Sequence, residues 1–408
     1  MNGDTLKFNN FSEFSAYLDE LGLFHMDLSL DRMKEFVGKW GAKGDFPVIH
    51  VVGTNGKGST STYLTYISIQ FRLKVGTFTS PHFISPRERI TIDGQMLSED
   101  EWCRIANMVM TIAPDIGLTY FELLTCMALV AFKEHGVDLA VMEAGLGGRY
   151  DATNTMDPDL TVFTPIGLDH EKILGSTIEL IAADKADAMR DGGMAITSIQ
   201  TDEAMNILEA RAEQLSVNFH HAEKIAEIAD LSPSLSGEHQ KQNGHLAVCA
   251  WRLFCNSRGI EFNESHAREG VKKSFIPGRL QTVQADRTYI LDGAHNIHAF
   301  EALETELERA EIMPDAIIFS CMKDKNIEPV KDILFKLTQG PIIACGIPEN
   351  ERACPHDELA QRLGPRVQPA SSLDEALSLL PSGDGTILVC GSLYLLAAFY
   401  TKYPMFLK

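Results

Sequence analysis

His50-Val51-Val52-Gly53-Thr54-Asn55-Gly56-Lys57-Gly58-Ser59-Thr60 is the stretch on which the reading of this 408-residue chain turns. A short β-rich run, Phe46 to Val52, stops at a glycine-rich turn, and the turn opens into a helical pattern from Thr60 to Phe71. Glycines let the backbone approach a phosphate, and successive amide N–H groups line the loop. The helix N-terminus adds a partial positive charge, and Lys57 adds a full one. Strand, turn, lysine and helix in that order make an anion cradle of the P-loop kind rather than a turn with a solvated lysine.

Working outward, residues 11 to 41 carry Phe14, Leu18 and Leu21 at helical spacing and then a second segment from Asp31 to Trp40, which predicts two helices ahead of the first strand. Strand-like runs recur at Lys74 to Phe78, Leu139 to Met142, Leu160 to Thr164 and Met194 to Thr197, separated by helical patterns such as Leu123 to Lys133. That alternation predicts a parallel α/β sheet. After Pro277-Gly278 it restarts with Thr288 to Leu291, Ala316 to Ser320, Pro341 to Cys345 and Thr386 to Cys390, alternating with helices such as Ala299 to Ala310 and Leu373 to Leu380. The length exceeds what one hydrophobic core fills. The expected fold is therefore α/β, with a mostly parallel-sheet, P-loop ATPase-like N-terminal domain over residues 1–282 and a smaller Rossmann-like α/β C-terminal domain over 283–408. The polar, proline-containing stretch from Asp230 to Gly237 reads as a loop.

Composition narrows the function classes. Hydrophobic residues make up 45% and charged residues 23%, as in ordinary globular chains. The formal net charge of −20, with no compensating Lys/Arg run, repels a polyanion and argues against nucleic acid. No run approaches the ~18 apolar residues of a spanning helix, and the N-terminus lacks a basic segment followed by an apolar core. No membrane association and a cytoplasmic location are expected. The eight cysteines are scattered without a C-x-x-C pair and read as reduced thiols.

The loop departs from the common pattern G-x-x-x-x-G-K-S/T, because Val51 takes the first glycine position and Gly58 separates Lys57 from Ser59. G-T-N-G-K-G-S resembles the ATP loop of the Mur ligase superfamily, and the glycine after the lysine resembles its folate branch, the dihydrofolate synthase/folylpolyglutamate synthase family. Further blocks follow in order. Thr79-Ser80-Pro81-His82 with Glu88-Arg89-Ile90 resembles the family's mobile substrate loop, and Thr119-Tyr120-Phe121-Glu122 its T-x-F-E segment. Glu143 to Asn154 is similar to E-V-G-L-G-G-R-L-D-A-T-N, and Ile166 to His170 with Leu174-Gly175 to the D-H-x-x-x-L-G block. Pro277 to Gln281 resembles P-G-R-x-Q, and Asp292 to Asn296 resembles D-x-A-H-N. The resemblance spans nearly the whole chain. Met322 to Lys325 and Cys390 to Tyr394 also resemble the family's C-terminal blocks.

What the resemblance implies is an ATP-dependent ligase that joins L-glutamate to a pterin-type carboxylate through an acyl phosphate, acting on dihydropteroate and on reduced folates. Thr54, Asn55, Gly56, Lys57, Gly58, Ser59, Asn243, Arg279, Asp292 and His295 are the expected ATP contacts, with the last three closing over the nucleotide. Ser80, Glu143 and His170 are the expected ligands of one Mg²⁺, and a carbamate on Lys185 is expected to help hold a second. Glu143 also follows an apolar strand, which puts a carboxylate at the sheet edge where α/β proteins bind ligands. Lys57, His170 and Lys185 are the expected catalytic residues. Lys185 corresponds to a lysine that relatives carbamylate, although Asp184, Asp187 and Ala188 here replace Glu, Gly and Ile. Substrate contacts are expected from His82, Thr119, Tyr120, Phe121, Glu122, Tyr150, Asp151 and Ala152, with Asp27 as a further one. Tyr150 replaces the more usual leucine. A monomer is expected. Two competing readings are a muramyl peptide ligase, against which stands the shortness of the segment before Gly53, and a nucleotide-gated switch, which does not need Glu143, His170, Lys185 and Arg279 together. Folylpolyglutamate synthesis alone is the nearest variant.

Overall fold

The structure, a computed structural model, describes residues 7–22, 28–41, 45–225, 231, 233, 237–323, 325–348 and 350–407. The chain divides into two compact units, one of Met1–Pro233 with Lys241–Ser274 and one of Ser234–Gln240 with Phe275–Lys408. The second unit thus takes in the residues just before Lys241 as well as the C-terminal third.

Fourteen strands run through the described residues: β1 (Val48–Val52), β2 (Val75–Phe78), β3 (Ile90–Ile92), β4 (Gln95–Met96), β5 (Leu139–Glu143), β6 (Leu160–Phe163), β7 (Met194–Thr197), β8 (Asn218–His221), β9 (Gln281–Gln284), β10 (Thr288–Leu291), β11 (Ala316–Phe319), β12 (Ile342–Cys345), β13 (Val367–Ala370) and β14 (Thr386–Cys390). The first sheet has the order β4-β3-β2-β5-β1-β6-β7-β8 and is parallel apart from β3 and β4. Every residue of β1, β2, β5 and β6 is buried, as parallel strands covered by helices on both faces require. One cluster, around Phe14, Phe36, Trp102 and Phe132, fills one part of this unit, and another, around Phe163, Ile181 and Leu208, fills a second.

The second sheet has the order β13-β12-β11-β14-β10-β9, parallel except for β9, which forms an antiparallel edge with β10. Its core gathers Phe300, Ile317, Leu334 and Leu388. The α/β prediction holds in both units. The loop helix runs Lys57–Gln70, three residues earlier than the apolar pattern indicates, because Gly56 caps it in the left-handed conformation. No helix among the described residues is long and apolar enough to cross a membrane, and all eight cysteines are buried thiols.

Candidate active site

In the first sheet the chain goes from β1 outward to β2 on one side and reaches β6 on the other, so β1 stands at the switch point where doubly wound sheets open a crevice. The loops leaving β1, β2, β5 and β6 carry most of the expected residues. At Gly53 a Cβ would lie 1.9 Å from Thr164 Oγ1, so only glycine lets the end of β1 pass against the end of β6. Gly56 has φ of 84°, and a Cβ there would meet Asn243 Oδ1 at 2.5 Å. The buried Asn243 amide therefore sits directly on the loop.

The sequence reading lines the loop with successive amides, and the structure narrows that set. The N–H groups of Thr54 and Asn55 both donate to the Pro165 carbonyl, at 3.0 and 3.2 Å, and the Thr54 hydroxyl is tied to Gly167. Those two amides are spent on fixing the loop. Thr60 N–H to Gly56 O is the first bond of the helix, which leaves the amides of Lys57, Gly58 and Ser59 ahead of the helical ladder. Lys57 Nζ folds back on the loop and donates to the carbonyls of Gly53 and Thr54, each at 3.2 Å.

Glu143 ends β5, opposite Val51 in register, and is only 2% exposed. Its Oε2 accepts the Ser80 N–H at 3.4 Å and would be 3.6 Å from a Cβ on Gly58. Ser80 and Glu143 are thus brought together beside the loop helix. His170 is exposed, holds φ of 52° and donates its N–H to Asp169 Oδ1 at 2.8 Å. It follows the segment Thr164 to Asp169 that also pins Thr54 and Asn55. Among the described residues no three His, Cys, Asp or Glu side chains converge as a metal cage. The donor set instead fits an ion that takes one carboxylate and one or two further protein donors and keeps water and phosphate as its other ligands, which is the habit of Mg²⁺.

Lys185 is 3% exposed and donates to Gly53 O at 2.9 Å. Burial, reinforced by the neighbouring Lys57 charge, pushes its ammonium down to about 7. The two aspartates that depart from the family pattern have their own partners. Asp184 Oδ1 accepts the Gly148 N–H at 2.8 Å, and Asp187 pairs with Arg149 and Arg211. Gly147 and Gly148 pack against this helix so closely that a Cβ would meet Asp184 Oδ1 at 2.3 Å and the Lys185 backbone at 2.8 Å. The glycine-rich run after Glu143 therefore delivers both Asp151 and Lys185 to the loop's surroundings.

The expected substrate residues form a second group. Thr119 and Glu122 make a capping box at the start of the helix Tyr120–His135, and the Glu122 carboxylate also takes a two-pronged pair from Arg32, at 2.9 and 3.1 Å. The carboxylate of Glu122 is thus engaged internally, a role in shaping the site that the motif alone does not reveal. Phe121 lies on Phe78 and against Gly145, where a Cβ would come within 2.5 Å of its ring. Tyr120 is buried under the Arg89 guanidinium. Arg89 Nε donates to His82 Nδ1 at 2.8 Å, and burial together with Arg89 lowers the His82 pKa to about 3, so its ring is neutral. Asp151 and Ala152 are buried, whereas Tyr150 is 45% exposed. Asp27 lies outside the described residues.

In the second unit Asp292 follows β10. Its two oxygens accept the N–H groups of Leu280 and Ala294, at 2.9 and 2.8 Å. Arg279 Nη1 would be 2.4 Å from a Cβ on Gly293, and His295 Nδ1 donates to Gly293 O at 2.8 Å. Arg279, Asp292 and His295 are one cluster, with Asp292 as its backbone clamp.

Similarity to known proteins supplies the class. Residues 51–254 match the Mur ligase middle domain and residues 278–393 match the Mur ligase, glutamate ligase domain, which makes this an ATP-dependent ligase. Within that class the chain belongs to the dihydrofolate synthase/folylpolyglutamate synthase family. It is 32% identical to the dihydrofolate synthase/folylpolyglutamate synthase of Bacillus subtilis, over 94% of this chain and 98% of the relative. It is similar to Escherichia coli FolC in complex with DHPP and ADP, at a TM-score of 0.87 and 28% identity, covering 97% and 98% of the two chains. A structure of a bifunctional folylpolyglutamate synthase/dihydrofolate synthase with Mn, AMPPNP and L-glutamate bound is similar at a TM-score of 0.86 and 26% identity, covering 98% and 100%. The family reaction is ATP-dependent ligation of glutamate to folates.

Proposed function

We propose that this ligase joins L-glutamate to dihydropteroate, forming dihydrofolate, and also extends reduced folates, each time through an acyl phosphate. The observation that carries the reading is the meeting of Lys57, Glu143 and Lys185 around one phosphate loop. A carboxylate is a poor electrophile, so its oxygen first attacks the terminal phosphorus of ATP and ADP departs. The glutamate amine then attacks the acyl carbon, phosphate leaves, and the amide forms with loss of a proton. Lys57 and the amides of Lys57, Gly58 and Ser59 offset the charge on the transferred phosphoryl group, because such transfers depend on positioning and electrostatics. Mg²⁺, held by Glu143, Ser80 and His170, supplies further charge neutralisation at the phosphates when bound.

The neutral amine of Lys185 reacts with CO₂ to give a carbamate and a proton, which turns a cation into an anionic oxygen ligand for a second ion. Burial pushes the Lys185 ammonium down to about 7, so near neutral pH a large share of the amine is unprotonated and available for that step. Asp187 pairs with Arg149 and Arg211, whereas the nearby Asp184 charge favours the ammonium and opposes the step, less strongly than burial promotes it. His82, Thr119, Tyr120, Phe121, Tyr150, Asp151 and Ala152 are assigned to the pterin acceptor, with Glu122 holding their scaffold. Arg279 and His295 are assigned to nucleotide, with Asp292 fixing their turn. Pterin binding and the phosphate loop belong to residues 1–282 in this reading, and residues 283–408 add Asp292 and His295 and serve glutamate ligation. Ser80-Pro81-His82 and Asp151-Ala152, together with the two-activity names of similar proteins, favour both acceptors over reduced folates alone.

An ADP-release assay tests the reading. Turnover is expected only with glutamate plus dihydropteroate or tetrahydrofolate, and turnover with muramyl acceptors instead would overturn it. Glu143→Ala is expected to raise the Mg²⁺ concentration for half-maximal turnover by about tenfold or more, the scale on which metal-site residues act. An unaltered Mg²⁺ titration removes Glu143 from the ligand set.

A further inference from the structure

We propose that His50 is a positioning residue for the acceptor: its Nε2–H holds the Thr153 hydroxyl, which in turn fixes the Asp151 carboxylate. The proposal rests on the reading of Asp151 as a pterin contact. His50 stands mid-strand in β1, whose five residues are all buried, three residues before Gly53. An aliphatic side chain would fill that place without burying polar atoms, so an imidazole there needs a reason.

The geometry supplies one. His50 Nε2 lies 2.7 Å from Thr153 Oγ1, and Thr153 Oγ1 lies 2.6 Å from Asp151 Oδ1. An ionised carboxylate only accepts, so the single hydroxyl proton goes to Asp151 and the hydroxyl oxygen accepts from His50. This selects the Nε2–H tautomer and leaves Nδ1 as a bare lone pair. Nδ1 is the ring atom that is buried without a hydrogen-bond partner. Burial, aided by Arg190, lowers the ring's pKa to about 3, so it stays neutral through the working range.

Asp151 Oδ1 also accepts the Thr153 N–H at 3.0 Å, and Oδ2 accepts the Leu146 N–H at 2.8 Å. Both amides come from the loop and turn on which Asp151 itself sits. The His50 link adds an anchor from β1, the strand that presents the phosphate loop. Acceptor contact and phosphate cradle are thereby registered to one rigid element, and in-line transfer is sensitive to displacements well under 1 Å. The signal in the sequence was a polar residue inside an otherwise apolar buried run.

The test compares His50→Leu, which removes the donor, with His50→Gln, whose carboxamide N–H reproduces Nε2–H. For His50→Leu the KM for dihydropteroate is expected to rise about 10- to 100-fold, as for other supporting-shell losses, while the KM for ATP is unchanged. His50→Gln is expected to restore most of the loss. Thr153→Val, of the same shape, breaks the relay at the hydroxyl and is expected to match His50→Leu, so the question survives if His50→Leu does not fold. Long-range ¹H–¹⁵N spectra of the wild-type protein are expected to show the Nε2–H tautomer. An Nδ1–H tautomer, an unchanged acceptor KM in both breaking variants, or equal losses toward ATP and acceptor overturns the proposal. Failure of the wild-type protein to release ADP with either pterin acceptor overturns the underlying reading instead.

Discussion

Replacing Lys57 with alanine is expected to lower kcat by about 10³-fold or more, with the fold retained. Losing one preorganised donor at a developing charge costs ~10²–10³ in rate, about 3–4 kcal/mol, and Lys57 also brings a full positive charge to the loop. Its structural role is small by comparison. Nζ makes two 3.2 Å bonds to the carbonyls of Gly53 and Thr54, and the side chain is partly exposed, so the stability change is ~1–2 kcal/mol. ADP-release rates read beside thermal unfolding separate the two effects. Full turnover in the folded variant would remove the phosphate-loop assignment. A secondary result follows from the arrangement: without Lys57 the remaining ammonium of Lys185 loses a like-charged neighbour, so its pKa is expected to move back up.

Lys185→Ala is expected to cost about 10²–10³-fold in kcat, and a small carboxylate such as propionate is expected to recover part of it by filling the vacated space with an anion. Intact mass of the wild-type protein is expected to show one added CO₂. Absence of that mass together with wild-type turnover in Lys185→Ala would end the carbamate assignment. Stability supplies an independent check. The folded pKa of about 7 lies below the ordinary 10.5, so the folded state resists protonation more than the unfolded chain does. Unmodified Lys185 therefore destabilises the fold most below pH 7, and the penalty fades as pH rises toward the unfolded value. Lys185→Met, which removes the amine and keeps the bulk, is expected to raise Tm at pH 6 and to lose that advantage near pH 10.

The strands that build the crevice were legible because they are buried on both faces and read as unbroken apolar runs. Leu139 to Met142 and Leu160 to Thr164 fall on β5 and β6 within a residue or so. The pieces that escaped have weak local signals. β3 and β4 are three and two residues long, and β13 contains Pro369. The loop helix begins earlier than its apolar pattern because Gly56 caps it, and glycine at 58, a poor helix former, hides that start in the sequence. Within the candidate site, Lys57 and Glu143 were legible by their places at the ends of strands, and Lys185 only through the family resemblance. Arg32 with Glu122, 90 residues apart, and His50 with Thr153, 103 apart, were not, because nothing in either local stretch names its partner. The aspartates at 184 and 187 show the reverse case. Asp187 looks like added negative charge beside Lys185 until its pairs with Arg149 and Arg211 are seen, whereas Asp184, bonded to the Gly148 N–H, still acts on the Lys185 ammonium.

The residue after the loop lysine has a wider meaning. Common phosphate loops place a hydroxyl there to reach the ion that accompanies the nucleotide. This chain has Gly58, bare of any side chain and facing the end of β5. In the proposed reading the hydroxyl's task passes to Ser80 and Glu143, beside the ends of β2 and β5, so that metal chemistry there can be tuned without altering the loop helix.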